Sequence, residues 1–95
     1  MKYVWDEKKN AANIRKHGIA FGRAIAIFDG PTLELMDDRF DYGETRYQAV
    51  GLIDGKEVFV AYSEEEEGVR RIISARGATR KEREAFWRLS SPPER

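Results

Sequence analysis

The stretch "YQAVGLIDGKEVFVAY", residues 47–62, restricts the fold more than any other part of the chain. Two β-rich runs flank Asp54-Gly55, the pair preferred in a two-residue hairpin, because the turn needs positive φ values that glycine adopts without strain. A turn at that place sets the register, with opposite residues summing to 109. Tyr47 then faces Tyr62, Ala49 faces Val60 and Gly51 faces Val58 on one side, while Val50 and Phe59 pair on the other. Both faces are apolar, so the sheet is expected to be covered on one side and at least partly on the second.

Other elements follow from local signals. "KYVW" reads as a short strand, and Asp6 as the N-cap of a helix over about residues 7–17 ended by Gly18. Phe21, Ala24, Ile25 and Phe28 form one apolar helical stripe, stopped by Asp29-Gly30-Pro31. "TLELMD" alternates as a strand does. "EEEEG" turns the hairpin into "VRRIISAR", a further strand, and Thr79-Arg80-Lys81-Glu82 is a capping box opening a last helix that ends near Leu89. The order is β-α-α-β-β-β-β-α: an α+β domain in which helices pack on an antiparallel meander. With 95 residues, one domain over 1–90 is expected, with 91–95 as a flexible tail. A chain this short buries roughly two-thirds of its unfolded surface and needs most of its apolar residues for one core.

The chain has no cysteine, which removes disulfides and thiolate metal sites and suits a reducing cytoplasm. No apolar signal segment or membrane-spanning run is present. A net charge of zero hides a layout: +4 over residues 1–23, −9 over 24–68 and +5 over 69–95. If the two ends meet in space they make a positive surface; if they do not, the charge is scattered and solvated.

The basic stretch "RRIISARGATRKERE" centres on a strand whose alternation puts Arg70, Ile72, Ser74 and Arg76 on one face and Val69, Arg71, Ile73 and Ala75 on the other. Guanidinium forks match phosphate or carboxylate oxygens in pairs. Arg80 adds charge in the first turn of the following helix, whose N-terminus also attracts anions. These arginines therefore either hold an anion or pair with the acidic middle, for example "DDRFD" or Glu64 to Glu67. His17, the only histidine, either shuttles a proton or caps carbonyls at a helix end. Asp37, Asp38 and Asp41 match no dedicated cation loop and read as solvated. Tyr3, Trp5, Tyr47, Tyr62, Phe86 and Trp87 have the chemistry to stack on bases, but core packing explains most of them.

Four segments together resemble the BrnT toxins of bacterial type II toxin–antitoxin systems: "WDEKKNAANIRKHGIAF", "AIFDGP", "GETRYQAVGLIDG" and "RRIISARGATRKERE". The resemblance runs over roughly residues 3 to 87. The motif positions carried over are Trp5, Asn13, Lys16, His17, Phe21, Glu44, Arg46, Arg71, Ser74, Arg76 and Glu82. In two places the chain departs from it: the family often has a basic residue where Gly77 stands and a tyrosine where Phe86 stands. A tyrosine hydroxyl that acts in cleavage would be missing here; a ring that only packs would not.

The resemblance implies a RelE-like fold and a metal-free endoribonuclease that inhibits translation, using the RNA 2′-hydroxyl as internal nucleophile. It implies Arg71 and Arg76 as transition-state clamps with Arg46 assisting, and His17 or Glu82 as the proton-transfer group. Lys16, Arg80 and Ser74 would bind the RNA phosphates. No metal or cofactor is expected. The expected partner is a BrnA-like ribbon-helix-helix antitoxin, which would cover the basic face and carry most of the operator-DNA binding. A non-catalytic module gripping nucleic acid or a protein partner through the same arginines is the alternative.

Overall fold

The computed structural model describes residues 1–39 and 41–90. Strand β1 (Lys2–Val4) leads into helix α1 (Glu7–His17), short helix α2 (Phe21–Ala24) and a 3₁₀ turn (Ile25–Asp29). Strands β2 (Leu33–Asp37), β3 (Arg46–Ile53), β4 (Lys56–Glu66) and β5 (Val69–Gly77) precede helix α3 (Arg80–Ser90). The proposed tail, 91–95, lies outside the described residues.

The caps form as their residues dictate. The Asp6 carboxylate accepts the N–H groups of Lys8 and Lys9 at 2.7 and 3.2 Å, and Gly18, with φ of 74°, closes α1 by donating to the Ile14 carbonyl. The Thr79 hydroxyl accepts the Glu82 N–H at 3.2 Å, and the Glu82 carboxylate accepts the Thr79 N–H at 2.9 Å. Asp54 and Gly55, with φ of 50° and 78°, make the hairpin turn. The register is the expected one, with Tyr47 opposite Tyr62, Ala49 opposite Val60 and Gly51 opposite Val58.

The five strands lie in the order β1-β5-β4-β3-β2. β2 to β5 form the antiparallel meander, but β1 joins β5 in parallel, so the sheet is mixed rather than wholly antiparallel. A parallel neighbour requires a long connection. Here α1, α2, the 3₁₀ turn, β2, β3 and β4 all lie between β1 and β5 in the chain.

Helices cover both faces. On one, Phe21, Ala24 and Ile27 pack with Ala49, Val58, Val60, Tyr62, Ile72 and Ala75, all essentially buried. The apolar stripe differs from the one expected: Ile27, rather than Phe28, takes the deepest position. The segment tightens from α to 3₁₀ winding, and with three residues per turn positions 21, 24 and 27 align. Gly51 lets this turn approach, because a Cβ there would lie 2.8 Å from Ile27 Cβ. On the other face α3 inserts Phe86, 1 % exposed, between Val50 and Phe59.

β5 carries a bulge. Tyr62 pairs with Ile72 while Ala61 pairs with Ser74, leaving Ile73 as an extra residue. A bulge reverses the alternation beyond it. The expected grouping of Arg70, Ile72, Ser74 and Arg76 on one face is therefore corrected: Ile72 and Ala75 share the α2 face, whereas Ser74 and Arg76 turn to the α3 face.

Candidate functional site

On the α3 face the register sets side chains in rows across the four antiparallel strands. Leu33, Val50, Phe59 and Arg76 make one row; Leu35, Gln48, Ala61 and Ser74 make the next; Asp37, Arg46 and Ser63 begin a third. Small residues, Ala61 and Ser74, leave a depression between the larger ones. The result is a cleft of about 370 Å³ bounded by Arg46 and Tyr42 at one end and by Phe59, Arg76 and Glu82 at the other.

Arg76 lies with its guanidinium 3.9 Å from the Phe59 ring centroid and donates two bonds to Glu82, at 2.8 and 2.9 Å. The capping box and the ion pair thus share one carboxylate. Burial opposes ionisation of Glu82, but the bonds from Arg76 and from the Thr79 N–H together outweigh it and hold its pKa below the ordinary glutamate value. Arg46 donates to Glu44 at 2.9 Å and stacks 4.0 Å from the Tyr42 ring centroid. Beside it, Arg39 donates to Asp37 through two bonds, at 2.8 and 2.9 Å, and Tyr42 donates a third at 3.1 Å. The Arg39 bonds, above all, hold the Asp37 carboxyl well below the usual range.

Of the residues singled out in the sequence, Arg46, Ser74, Arg76 and Glu82 come together here. Arg71 does not line this cleft; it pairs with Glu65 at 3.3 Å and borders a separate hollow with Lys2 and Val69. Arg70 lies on the opposite face, its guanidinium 4.6 Å from the Phe28 and 4.8 Å from the Tyr62 ring centroid, and 3.7 Å from Glu34. Arg80 is exposed and pairs with Glu84 one turn along α3. Lys16 and His17 are exposed in the last turn of α1 and do not line the cleft. The pairing of arginines with the acidic middle is thus partly realised, through Glu34, Glu44 and Glu65.

Of the aromatic residues, Tyr62 and Phe86 are buried, while Tyr3, Trp5 and Tyr47 pack against the core. Trp87 is exposed and donates its Nε1–H to Glu57 at 2.7 Å. Among the described residues, no three acidic or histidine side chains gather in a metal-binding arrangement. No described helix is long and apolar enough to cross a membrane.

Sequence reasoning missed Gln48, Tyr42 and Asp37 as residues of this cleft. The signal for Gln48 was available: strand alternation puts it on the face of Arg46 and Val50. Asn13, a motif position without an assigned role, also finds its place. Its amide donates to the Ala75 and Ile19 carbonyls, both at 2.8 Å, and its carbonyl accepts the Ala75 N–H at 3.1 Å. It occupies the edge of β5 beyond the end of β1 and fixes the backbone next to Arg76.

The family model described as the ribonuclease toxin BrnT of a type II toxin–antitoxin system matches residues 5–82. The crystal structure of the Brucella abortus ribonuclease toxin BrnT is similar, with a TM-score of 0.65 and 27 % sequence identity, over 84 % of this chain and 99 % of that one. No curated protein matches the sequence. A family match over most of the chain, together with the shared fold, means that this protein belongs to the BrnT family of ribonuclease toxins of type II toxin–antitoxin systems.

Proposed function

We propose that this chain is a metal-independent endoribonuclease of RelE-like architecture that cuts RNA, inhibits translation in the cytoplasm and is neutralised by a ribbon-helix-helix antitoxin. One observation carries the reading: Arg46 and Arg76 converge on one cleft that also holds Ser74 and Glu82. The 2′-hydroxyl of a bound ribose attacks the adjacent phosphorus, the 5′-oxygen leaves, and a 2′,3′-cyclic phosphate remains. Guanidinium groups fixed before the reaction stabilise the charge that develops on the phosphorane.

Of the two proton-transfer candidates, Glu82 lines the cleft and His17 does not. Glu82 is a weak base while Arg76 holds it. A phosphate that takes over the Arg76 guanidinium removes that partner, and the carboxylate pKa then rises towards the range in which it accepts the 2′-hydroxyl proton. Ser74 contacts the phosphate. Arg71, Lys16 and Arg80, outside the cleft, steer the RNA backbone by charge. The antitoxin covers the cleft face and carries the operator contacts, with the toxin as co-repressor.

The non-catalytic reading keeps one observation in its favour, since the cleft arginines Arg39, Arg46 and Arg76 each already hold a carboxylate. Incubation of purified protein with RNA in EDTA, followed by end-group analysis, separates the two. Cyclic phosphate ends are expected. Intact RNA favours the binding module, and cleavage only on adding magnesium overturns metal independence.

A further inference from the structure

The middle row of the cleft has no part in the mechanism above, apart from Ser74. Gln48 on β3 and Ser74 on β5 flank Ala61 on β4, each directly in register. Two strand spacings separate them, about 10 Å, and only the alanine methyl stands between. Both side chains are half-buried and line the cleft. Among the described residues, neither the Gln48 amide nor the Ser74 hydroxyl has an intramolecular hydrogen-bond partner. The other polar groups around them, on Arg46, Arg76, Glu82 and Asp37, are all committed to ion pairs.

A planar group entering between Gln48 and Ser74 therefore meets free hydrogen-bonding capacity and lies between the rows that carry Arg46 and Arg76. A carboxamide offers a donor and an acceptor side by side, the pattern that reads the edge of a nucleobase. Single-stranded RNA presents such edges when its bases are splayed out.

We propose that the Gln48–Ala61–Ser74 row is a nucleobase-binding subsite, in which the Gln48 carboxamide reads the edge of a base next to the scissile phosphate and sets the cut-site preference. This inference rests on the ribonuclease reading of the same cleft. Phosphate contacts alone position RNA without regard to sequence, so preference must come from a group that touches the base. Gln48 is the side chain of the row that offers a donor and an acceptor side by side on separate atoms of one planar group.

The test is cleavage of a randomised RNA pool by purified protein, with cut sites sequenced. Wild type is expected to show a base preference at one position beside the cut. Gln48→Leu, similar in size, is expected to flatten that preference by about tenfold while still cutting. Gln48→Glu, which only accepts, is expected to move it towards guanine, whose N1–H and N2–H donate side by side. Circular dichroism confirms that both variants fold. A wild-type preference that survives in both variants overturns the subsite and leaves the ribonuclease reading standing, as does wild-type cutting without any preference. Intact RNA with wild type overturns both. A Gln48→Leu protein that loses antitoxin neutralisation but keeps its cut pattern assigns the row to the antitoxin instead and overturns the proposal.

Discussion

The Arg76 guanidinium and the Glu82 carboxylate meet through two hydrogen bonds, at 2.8 and 2.9 Å, and the same carboxylate accepts the Thr79 N–H that opens α3. The end of β5 and the start of α3 are thereby locked together by one side chain. A group whose folded pKa lies below its unfolded value adds stability above the unfolded pKa, and that stability is lost as pH falls through the folded one. Glu82 is such a group, with an ordinary value of 4.5. Glu82→Gln keeps an acceptor for Thr79 but not the charge, and is expected to cost about 0.5 kcal/mol at neutral pH for this partly exposed pair. Urea midpoints at pH 7 and pH 3 check this, since the variant should lose less stability on acidification than wild type. An identical acid response would show that Glu82 titrates the same way folded and unfolded.

Arg76 and Arg71 lie five residues apart on the same strand but do not share the cleft. Arg76→Ala and Arg46→Ala are each expected to lower kcat for RNA cleavage about 100-fold, the scale for removing one preorganised donor from a transition state. Arg71→Ala is expected to act mainly on KM, by less than about tenfold, with a shallower salt dependence. Steady-state kinetics at several salt concentrations decide it. Equal kcat losses at both positions would place Arg71 at the reacting phosphate.

Asn13, 7 % exposed, makes three bonds to backbone that no strand partner satisfies. Asn13→Ala orphans those groups and is expected to cost about 3 kcal/mol, a fall in Tm of about 15 °C. Asn13→Asp should also destabilise, because a carboxylate then faces the Ala75 and Ile19 carbonyls. Thermal circular dichroism provides the measurement, and an unchanged Tm would mean that water replaces the amide.

Two glycines separate close packing from open surface. Gly51→Ala forces a methyl within 3.0 Å of both Ile27 and Thr32 and is expected to cost about 2 kcal/mol. Gly77 has nothing within 4 Å of its Cβ position, so Gly77→Lys should change stability by less than about 0.5 kcal/mol. It should also tighten RNA binding at low salt. Chemical denaturation of both variants tests the contrast.

At Phe86, where the family resemblance leads one to expect a tyrosine, the surroundings decide between the two readings of the ring. A tyrosine hydroxyl there would need a partner, but the phenylalanine ring is enclosed by Val50 and Phe59 and needs none. Its role in this chain is packing.

The amino-acid sequence alone determined the hairpin and its register, the Asp6 and Gly18 caps, the Thr79–Glu82 box and the order of the elements. Each is decided within a few residues, by the φ a turn demands or the donors a helix end exposes. Tertiary structure decided the rest. Strict alternation along "RRIISAR" predicts one arrangement of its arginines, but the fit of β5 against β4 inserts a bulge at Ile73 and turns Ser74 and Arg76 to the other face. The parallel seat of β1 and the meeting of Arg46 with Arg76 likewise depend on strands distant in the chain. Which face a side chain takes, and which neighbour it finds there, is set by pairing between elements, and local residue chemistry does not contain that information.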